Sequence, residues 1–435
     1  MTPEQTIGIR LRRCTVGAGL WGMACLGFAG VMANLHPCQA APPTSMTYRQ
    51  ARDFLAAHTK VVEMANDDGG RVAICPEYQG RVMTSSCSGF EGESLGWINR
   101  EFIEEKKPDR HFNNYGGEDR FWLAPEGGQY SLWFAAGADQ DLAHWFTPPA
   151  LNEGPFQFNL DKPEPRYLLK RKMLLRNASK TEFSFDVERE IRILGARQFG
   201  KSFGAEAGNL LKSKRLKLVG FETSNTIINR GAPMESDKGL VGIWIAGMFP
   251  ASPTTEVIVP FKKGDEAKLG PPVTDDYFGT VPSDRLRIGD QAAYFRADGK
   301  LRSKIGTSAA RAVPVAGALD RARGLLTLIQ FDMPRDAQNF SYADSHWQLP
   351  QADPYRGDAF NSYNDGPSEA NEKSGGFYEL ESVSPAIRLA SGKSLKHAHR
   401  TYHVEGDEAT LVKLAEAALQ IKLSAPEVAD QRAAE

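Results

Sequence analysis

The sequence predicts a mainly β protein, a large antiparallel β-sandwich with helices near the two ends of its folded part. Three observations carry this prediction. Many short segments rich in β-branched and aromatic residues alternate between apolar and polar positions. Clusters of Gly, Pro, Asn and Asp separate these segments, as turns do. No strand–helix–strand alternation is visible, which disfavours a parallel α/β fold.

The N-terminal residues indicate an export signal. A basic stretch at residues 10–13 precedes an uncharged run at residues 14–33, and a small-residue cleavage site ends at Ala40. A retained membrane anchor is the alternative, because the run approaches spanning length, but its glycines and polar exit favour cleavage. A lipid-anchored protein, modified at Cys38, is disfavoured by Pro37 and by the length of the apolar run.

We therefore predict a periplasmic or secreted protein without stable membrane insertion after signal removal. The predicted organisation is a signal peptide at residues 1–40, a spacer at 41–47, one β-sandwich domain at 48–422 and a tail at 423–435.

Composition excludes some partners. The 435 residues carry 52 Lys and Arg against 54 Asp and Glu, so no basic surplus exists for a nucleic acid. Beyond the predicted signal only Cys75 and Cys87 remain. An oxidising compartment would allow them to form a disulfide, although a hairpin between them would put them out of register. Two buried free thiols are the alternative.

Periodicity assigns the elements. Apolar residues at helical spacing predict helices at residues 48–66 and 407–419. The predicted strands are residues 71–75, 80–86, 121–124, 129–135, 167–176, 183–194, 216–223, 240–249, 256–261, 291–296, 324–332, 376–382 and 394–404.

The segment at residues 115–130 is the first candidate site, since it combines three acids, an arginine and aromatics between two glycine pairs. Charges beside aromatic rings are costly unless they are paired or face a ligand. Strand alternation would place Glu118, Arg120 and Trp122 on one face. We predict Glu118 and Asp119 as catalytic, and Arg120, Trp122 and Glu126 as ligand-binding. A Glu118–Arg120 or Asp119–Arg120 salt bridge beneath a hairpin is the alternative.

Two further segments mix polar and aromatic residues, at 141–146 and 358–367. The alternatives are a plain turn at residues 364–367 and a packed, half-buried His144. The additional ligand-binding candidates are His144, Trp145, Asp358, Asn361, Tyr363 and Asn364.

Glu379 and Glu381 are the other catalytic candidates. They lie two residues apart on one strand face, which suits either a general base at the rim of the sandwich or a solvated outer face. The histidines at 397, 399 and 403 also alternate along a strand, but i, i+2 spacing separates equivalent atoms by about 7 Å. We predict a surface strand there and no metal site. No nucleotide or metal motif occurs in a supporting context, so we predict no cofactor.

Four segments, residues 79–84, 97–100, 116–129 and 357–367, resemble the signature of DUF6786, a family of exported bacterial proteins. The resemblance spans about residues 48–405. That family is similar to the galactose mutarotase-like group, which implies a β-super-sandwich and a sugar ligand. The group contains aldose epimerases, which use a histidine acid and a glutamate base, and non-catalytic sugar-binding domains.

The Asn-Gly…His strand motif of the epimerases is not recognisable here. Where related families have a Gly-Gly-His-Arg type segment, this chain has Gly117, Glu118, Asp119 and Arg120. The resemblance thus implies an acidic pair, with Glu118 or Asp119 as acid and Glu379 or Glu381 as base.

The prediction for function is an exported carbohydrate-active protein that binds a mono- or oligosaccharide in a cleft, with epimerase- or isomerase-like chemistry. Arg120 and Asn361 would hold hydroxyls, and Trp122 or Trp145 would stack on the sugar ring. The alternative is a non-catalytic glycan-binding protein of a sugar uptake or degradation system.

Overall fold

The computed structural model describes residues 46–158, 166–212, 216–367 and 376–423. The predicted signal peptide, residues 41–45 of the spacer and residues 424–435 of the tail lie outside the described residues. All of these described residues belong to one compact unit.

Seven α-helices and eighteen strands occur in the described residues. The helices are α1 (Tyr48–Ala56), α2 (Arg100–Glu105), α3 (Pro149–Asn152), α4 (Ala196–Phe203), α5 (Ala205–Leu211), α6 (Glu266–Leu269) and α7 (Glu408–Leu419). The strands are β1 (Val62–Ala65), β2 (Arg71–Cys75), β3 (Arg81–Ser86), β4 (Arg120–Ala124), β5 (Gln157–Phe158), β6 (Arg166–Arg176), β7 (Glu182–Leu194), β8 (Lys217–Asn229), β9 (Gly242–Pro250), β10 (Thr255–Pro260), β11 (Leu286–Ile288), β12 (Ala292–Arg296), β13 (Ser303–Ser308), β14 (Val315–Asp320), β15 (Leu325–Phe331), β16 (Asp358–Asn364), β17 (Phe377–Val383) and β18 (Ser394–Glu405).

The strands form three sheets. A small sheet has the order β1-β2-β3, and a ten-stranded sheet has the order β11-β12-β10-β14-β15-β18-β8-β7-β6-β5. A five-stranded sheet has the order β13-β16-β17-β9-β4. Neighbouring strands in all three are antiparallel. The prediction of a mainly β protein with large antiparallel sheets is confirmed.

Strand β18 shows how the ten-stranded sheet is buried on both faces. Tyr402 and Val404 belong to an apolar cluster that also contains Phe199 and Phe203 of α4 and Leu414 of α7. The alternate positions of β18, including three histidines, meet the five-stranded sheet instead. Successive side chains of a strand point to opposite faces, so helices cover one face of this sheet and the five-stranded sheet covers part of the other.

A buried polar layer lies between the two larger sheets. Arg189 of β7 donates through Nη2 to Asp119 Oδ1 at 2.5 Å and through Nη1 to Asn225 Oδ1 at 2.9 Å. Thr223 Oγ1 donates to the second oxygen of Asp119 at 2.7 Å. Both charged side chains of this ion pair are 0% exposed. Because a buried charge without its partner is strongly destabilising, these bonds restrict how the sheets can pack.

Most predicted strands are confirmed, with ends that differ by a residue or two, except that β8 extends to Asn229, six residues beyond its predicted end. Residues 129–135 are wrong as a strand, because Ser131 Oγ accepts bonds from the N–H groups of Trp133 and Phe134 and so favours a turn. The first helix is also shorter than predicted. It ends at Ala56, and the apolar residues that follow belong to β1. Strands β1, β5, β11, β13, β14 and β16 and helices α2 to α6 were not among the predicted elements.

The two cysteines of the described chain are free and buried, so the disulfide alternative is wrong. Cys75 lies opposite Arg81 in the β2–β3 register, away from Cys87. Burial raises the pKa of both thiols, which keeps them protonated.

Candidate functional site

A cleft of about 270 Å³ opens on the face of the five-stranded sheet that points away from the ten-stranded sheet. Its floor comes from strands and its rim comes from loops and strand ends. The floor residues are Arg120, Trp122, Trp244, Met248, Lys304, Tyr363, Glu379 and Glu381. The rim residues are Phe112, Asn114, Glu126, Leu142, Trp145, Phe278, Arg302, Trp347, Asp365 and Phe377.

Strand register brings the floor residues together. Lys304 lies opposite Tyr363, Tyr363 opposite Glu379, and Glu379 opposite Met248, which makes one row across four strands. Side chains opposite each other in antiparallel strands share a face. The floor is therefore assembled from residues that are far apart in sequence.

A second row lies two residues away on the same face. It pairs Glu381 with Ala246, and Ala246 with Arg120. Trp122 and Trp244, opposite each other, continue this face one step further.

Two buried ion pairs cross this floor. Arg120 Nη2 donates to Glu379 Oε1 at 3.0 Å, and the two side chains are 3% and 7% exposed. Lys304 Nζ donates to Glu381 Oε2 at 3.1 Å, and that oxygen also accepts from Trp244 Nε1 at 2.8 Å. The hypothesis of a solvated outer face for the two glutamates is therefore wrong.

The crowded floor shifts proton affinities. Burial raises the pKa of Glu379 to about 7, with Arg120 opposing and Glu381 adding to the rise. Burial likewise raises the pKa of Glu126, against the effect of Lys304. For Lys304, burial lowers the pKa but the three surrounding glutamates more than offset it, so its pKa lies above the ordinary value. Near neutral pH the lysine is charged and Glu379 exists in both protonation states.

Aromatic rings make up much of the walls. The Arg120 guanidinium lies over the ring of Trp122, 3.8 Å from its centre. At the rim Trp145 and Trp347 are nearly parallel, with planes 27° apart and centres 6.3 Å apart. Arg302 lies 3.7 Å from the centre of Phe278. Flat apolar faces beside charged groups suit a ligand with both C–H surfaces and hydroxyls.

Several buried polar atoms of the cleft residues have no hydrogen-bond partner among the described residues. They are Asn114 Oδ1, Arg120 Nε, Trp122 Nε1, Trp347 Nε1 and Glu381 Oε1. Most buried polar atoms of folded proteins are bonded. Three of these atoms are donors and two are acceptors, so a ligand whose groups both donate and accept can complement them.

Seven of the predicted site residues line this cleft, namely Arg120, Trp122, Glu126, Trp145, Tyr363, Glu379 and Glu381. Glu126 accepts from the indole N–H of Trp145 at 2.7 Å, which joins two of them. Both predicted salt-bridge alternatives, Glu118–Arg120 and Asp119–Arg120, are wrong, since Arg120 pairs with Glu379.

Glu118 and Asp119 do not line the cleft, which corrects their predicted placement. Glu118 accepts from Ser85 Oγ at 2.9 Å and lies 2.8 Å from His403 Nε2, while Asp119 belongs to the layer between the sheets. The reason is local. Gly116 and Gly117 adopt φ of +84° and +109°, so the regular strand, and with it the alternation, begins only at Arg120.

The remaining predicted residues lie outside the cleft. His144 is half exposed and its Nδ1 lies 2.7 Å from Asp141. Asn364 bonds the backbone of Leu301 through its amide nitrogen at 2.8 Å. Asp358 and Asn361 both bond the hydroxyl of Tyr277 and do not line the cleft.

The predicted surface position of the three histidines on β18 is wrong. His397, His399 and His403 are at most 1% exposed. Ser382 Oγ lies 2.8 Å from His397 Nε2 and 2.8 Å from His399 Nδ1. Burial lowers the pKa of His397 and His399 to about 3, so both are neutral. Within the described ranges no group of three or more metal-ligating side chains is placed to hold a metal ion.

Lys304 is the most informative cleft residue that was not predicted. Its strand, β13, has weak strand character, with Ser303, Gly306 and Ser308 in six residues. Cross-strand pairing with β16 is what brings Lys304 beside Glu381. The other cleft residues that were not predicted are Phe112, Asn114, Leu142, Trp244, Met248, Phe278, Arg302, Trp347, Asp365 and Phe377.

The chain belongs to DUF6786, a family of unknown function, whose model matches residues 46–429. The resemblance in the sequence motifs is thereby confirmed. A search of the curated protein sequences found no match.

Solved structures of similar fold include the Slr1438 protein from Synechocystis sp. PCC 6803, at 13% identity and a TM-score of 0.45, covering 80% of this chain and 96% of that one. A candidate aldose 1-epimerase from Escherichia coli K12 matches at 12% identity and a TM-score of 0.44, covering 80% of this chain and 99% of that one. A candidate mutarotase from Salmonella typhimurium matches at 9% identity and a TM-score of 0.40, covering 80% of this chain and 90% of that one. At these values no residue's role is transferred from those proteins. In the described part of the chain, no helix has the length and apolar character needed to cross a membrane.

The raised pKa of Glu379 gives a testable pH dependence. The folded protein binds more protons than the unfolded chain between the ordinary value of 4.5 and about 7. Stability from this group is therefore fully present below about pH 4.5 and is lost as the pH rises through about 7. We expect Glu379→Gln to reduce the fall in the free energy of unfolding between pH 5 and 8, measured by urea denaturation. Glu104→Gln, at an exposed glutamate, is the control. Equal pH slopes for wild type and Glu379→Gln would contradict this prediction.

Proposed function

We propose that the protein binds a carbohydrate in the cleft on the five-stranded sheet. The observation that carries this proposal is the combination of aromatic walls with unpartnered polar atoms of both hydrogen-bonding kinds. A sugar presents C–H groups on its ring faces and hydroxyls at its edges, and each hydroxyl both donates and accepts. The cleft offers surfaces for both.

The size and charge of the cleft support a small or terminal sugar unit. Its volume of about 270 Å³ is near the lower end of the range for small-molecule sites. Charges on the floor are arranged in pairs, with Arg120 on Glu379 and Lys304 on Glu381. Paired charges provide directional hydrogen bonds without a strong net field, which suits a neutral ligand.

The ion pairs also support the binding-only alternative from the sequence. Each glutamate on the floor has one oxygen committed to a cation, which stabilises the charged form and restricts the side chain. A glycan-binding protein needs no more than this fixed polar floor and an aromatic platform at the rim.

Trp145→Ala tests the binding proposal. Removing a half-buried ring of the rim should weaken binding of a glycan selected on an array by about tenfold or more, which corresponds to about 1.4 kcal/mol. Calorimetric titration measures the loss. The control is Phe54→Ala, at a partly buried aromatic of α1 that packs on His58. Equal affinity in Trp145→Ala and wild type, or an array without any binding glycan, would refute the proposal.

One observation favours catalysis as a second candidate function. Burial raises the pKa of Glu379 to about 7, the value at which a carboxyl group can both take up and return a proton near neutral pH. Beside it Arg120 and Lys304 are cations that can stabilise negative charge on a sugar oxygen. This set suits a reaction that moves protons on the sugar without redox change, such as the interconversion of anomers or epimers.

Glu379→Gln separates catalysis from binding. The amide retains the shape and can still accept from Arg120, but it cannot exchange a proton. We expect conversion of the cognate sugar, followed by NMR, to be lost while the dissociation constant changes by less than about threefold. His144→Ala, outside the cleft, should keep full turnover. If Glu379→Gln converts the sugar at the wild-type rate, the carboxyl group is not the proton-transfer group.

We also propose that the protein is exported. The support is the basic stretch and apolar run at residues 10–33, followed by the small-residue site at Ala40. Expression of the full chain in a Gram-negative host, fractionation and N-terminal sequencing test this. The expected product lies in the periplasm or medium and begins at Ala41. An intact N-terminus in the cytoplasmic fraction would contradict export.

A further inference from the structure

A second cavity, of about 520 Å³, lies on another part of the surface. Its walls are the α6 segment at residues 266–271, the end of β13, and the loops at residues 338–342 and 355–358. None of the described residues that line it also lines the cleft. Its occupant would therefore be separate from, or a distant part of, the ligand in the cleft.

Two hydroxyl groups of this cavity have no partner among the described residues. They are Tyr342 OH and Ser308 Oγ, both buried from solvent. Tyr342 is only 1% exposed, and its ring packs in a small apolar cluster with Ala309 and Ala359. An unpartnered buried hydroxyl is costly, and an apolar ring would fill this place at no such cost. A hydroxyl-bearing ligand in the cavity would supply the missing partner.

The wall beside these hydroxyls is firmly held. Arg311, which is 2% exposed, donates to the carbonyl oxygens of Lys262, Gly264 and Gly270 at 2.7–3.1 Å. Asp358, which pairs with Ser308 in the β13–β16 register, accepts from Tyr277 OH at 2.7 Å. A cavity whose walls are tied in this way is formed before a ligand arrives.

Charge and ring content define the ligand. The charged residues that line the cavity are Glu266, Lys268, Arg356 and Asp358, two of each sign. This balance disfavours a strongly anionic or cationic ligand. Phe340, which is 40% exposed, offers an apolar ring face at the edge.

We propose that this cavity is a second binding site for a neutral, polyhydroxylated ligand, a single sugar unit or a polyol. Tyr342 and Ser308 bind its hydroxyls, Asp358 accepts from one of them, and Phe340 covers a C–H face. The site does not depend on whether the cleft binds a carbohydrate.

The two sites share one strand. Asp358 begins β16 and Tyr363, in the cleft, lies five residues further along it, which corresponds to about 17 Å. The two sites therefore lie apart on one strand, and each takes its own small ligand.

Titration with D-glucose, D-galactose, D-mannose and sorbitol, each alone, tests the proposal by calorimetry and tryptophan fluorescence together. The cleft contains four tryptophans and the residues lining the second cavity contain none. A ligand in the second cavity therefore gives heat with little fluorescence change. We expect such binding for at least one probe. Tyr342→Phe with Ser308→Ala should weaken it at least tenfold and leave any fluorescence-detected binding unchanged.

Stability supplies an independent readout. Without ligand, Tyr342→Phe should unfold at an equal or higher temperature than wild type, because it removes an unpartnered hydroxyl. The control Tyr402→Phe removes a hydroxyl that lies 3.1 Å from Ser202 Oγ and should unfold at a lower temperature.

Two results would overturn the proposal. In the first, every probe that binds also changes the tryptophan fluorescence, or none binds. In the second, a probe binds without a fluorescence change but binds the double variant as tightly as wild type. Heat without fluorescence that disappears in the double variant supports the second site, even if no glycan binds in the cleft. The two proposals thus fail separately.

Discussion

The pairing of Arg120 with Glu379 is the constraint on which the cleft depends. The two residues lie on β4 and β17, which are not neighbours but both pair with β9. Their bond therefore spans a whole strand, and it forms only when both registers are correct. A slip of one residue in either strand would send one charge to the opposite face, among apolar side chains. The charged floor thus requires the sheet to be aligned as it is.

This arrangement has an energetic cost and a functional gain. The two buried ion pairs contribute little net stability, because the cost of desolvating the charges offsets their attraction. Apolar residues of similar volume would often be more stabilising. In return the donors and acceptors of the floor are held in fixed orientations. Burial also places the pKa of Glu379 near neutrality, which an exposed glutamate would not achieve. Burial and charge pairing thus reduce the stability that the floor contributes and also set the proton affinity of Glu379.

Sequence reasoning predicted the strands well where one face is apolar and the other polar. The long hairpin of β6 and β7 is the clearest case, because its burial alternates along nearly its whole length. It also located parts of the cleft, since Arg120, Trp122 and Glu379 stand out as charged or aromatic residues in strand-like segments. Local patterns were sufficient for these residues because each strand carries its own signal.

The sequence failed where the outcome depends on pairing between distant strands. Nothing local shows that Lys304 faces Glu381, or that His403 is buried against Glu118. Histidines at alternate positions look the same on a solvated strand and between two sheets. For Glu118 the alternation of β4 does not apply, because Gly116 and Gly117 at positive φ precede it and the regular strand begins two residues later, at Arg120. Register and sheet stacking are long-range properties that no window of sequence contains.

The division of the cleft between strands and loops has a consequence for how the family can diversify. Loop residues such as Phe278, Trp347 and Phe112 contribute no strand hydrogen bonds and tolerate change far better than the paired charges beneath them. In terms of the binding proposal, exchange of rim residues would change ligand preference while the charged floor stays unchanged. In such a lineage selectivity and chemistry evolve on separate parts of the chain, and a conserved floor would not imply a common ligand.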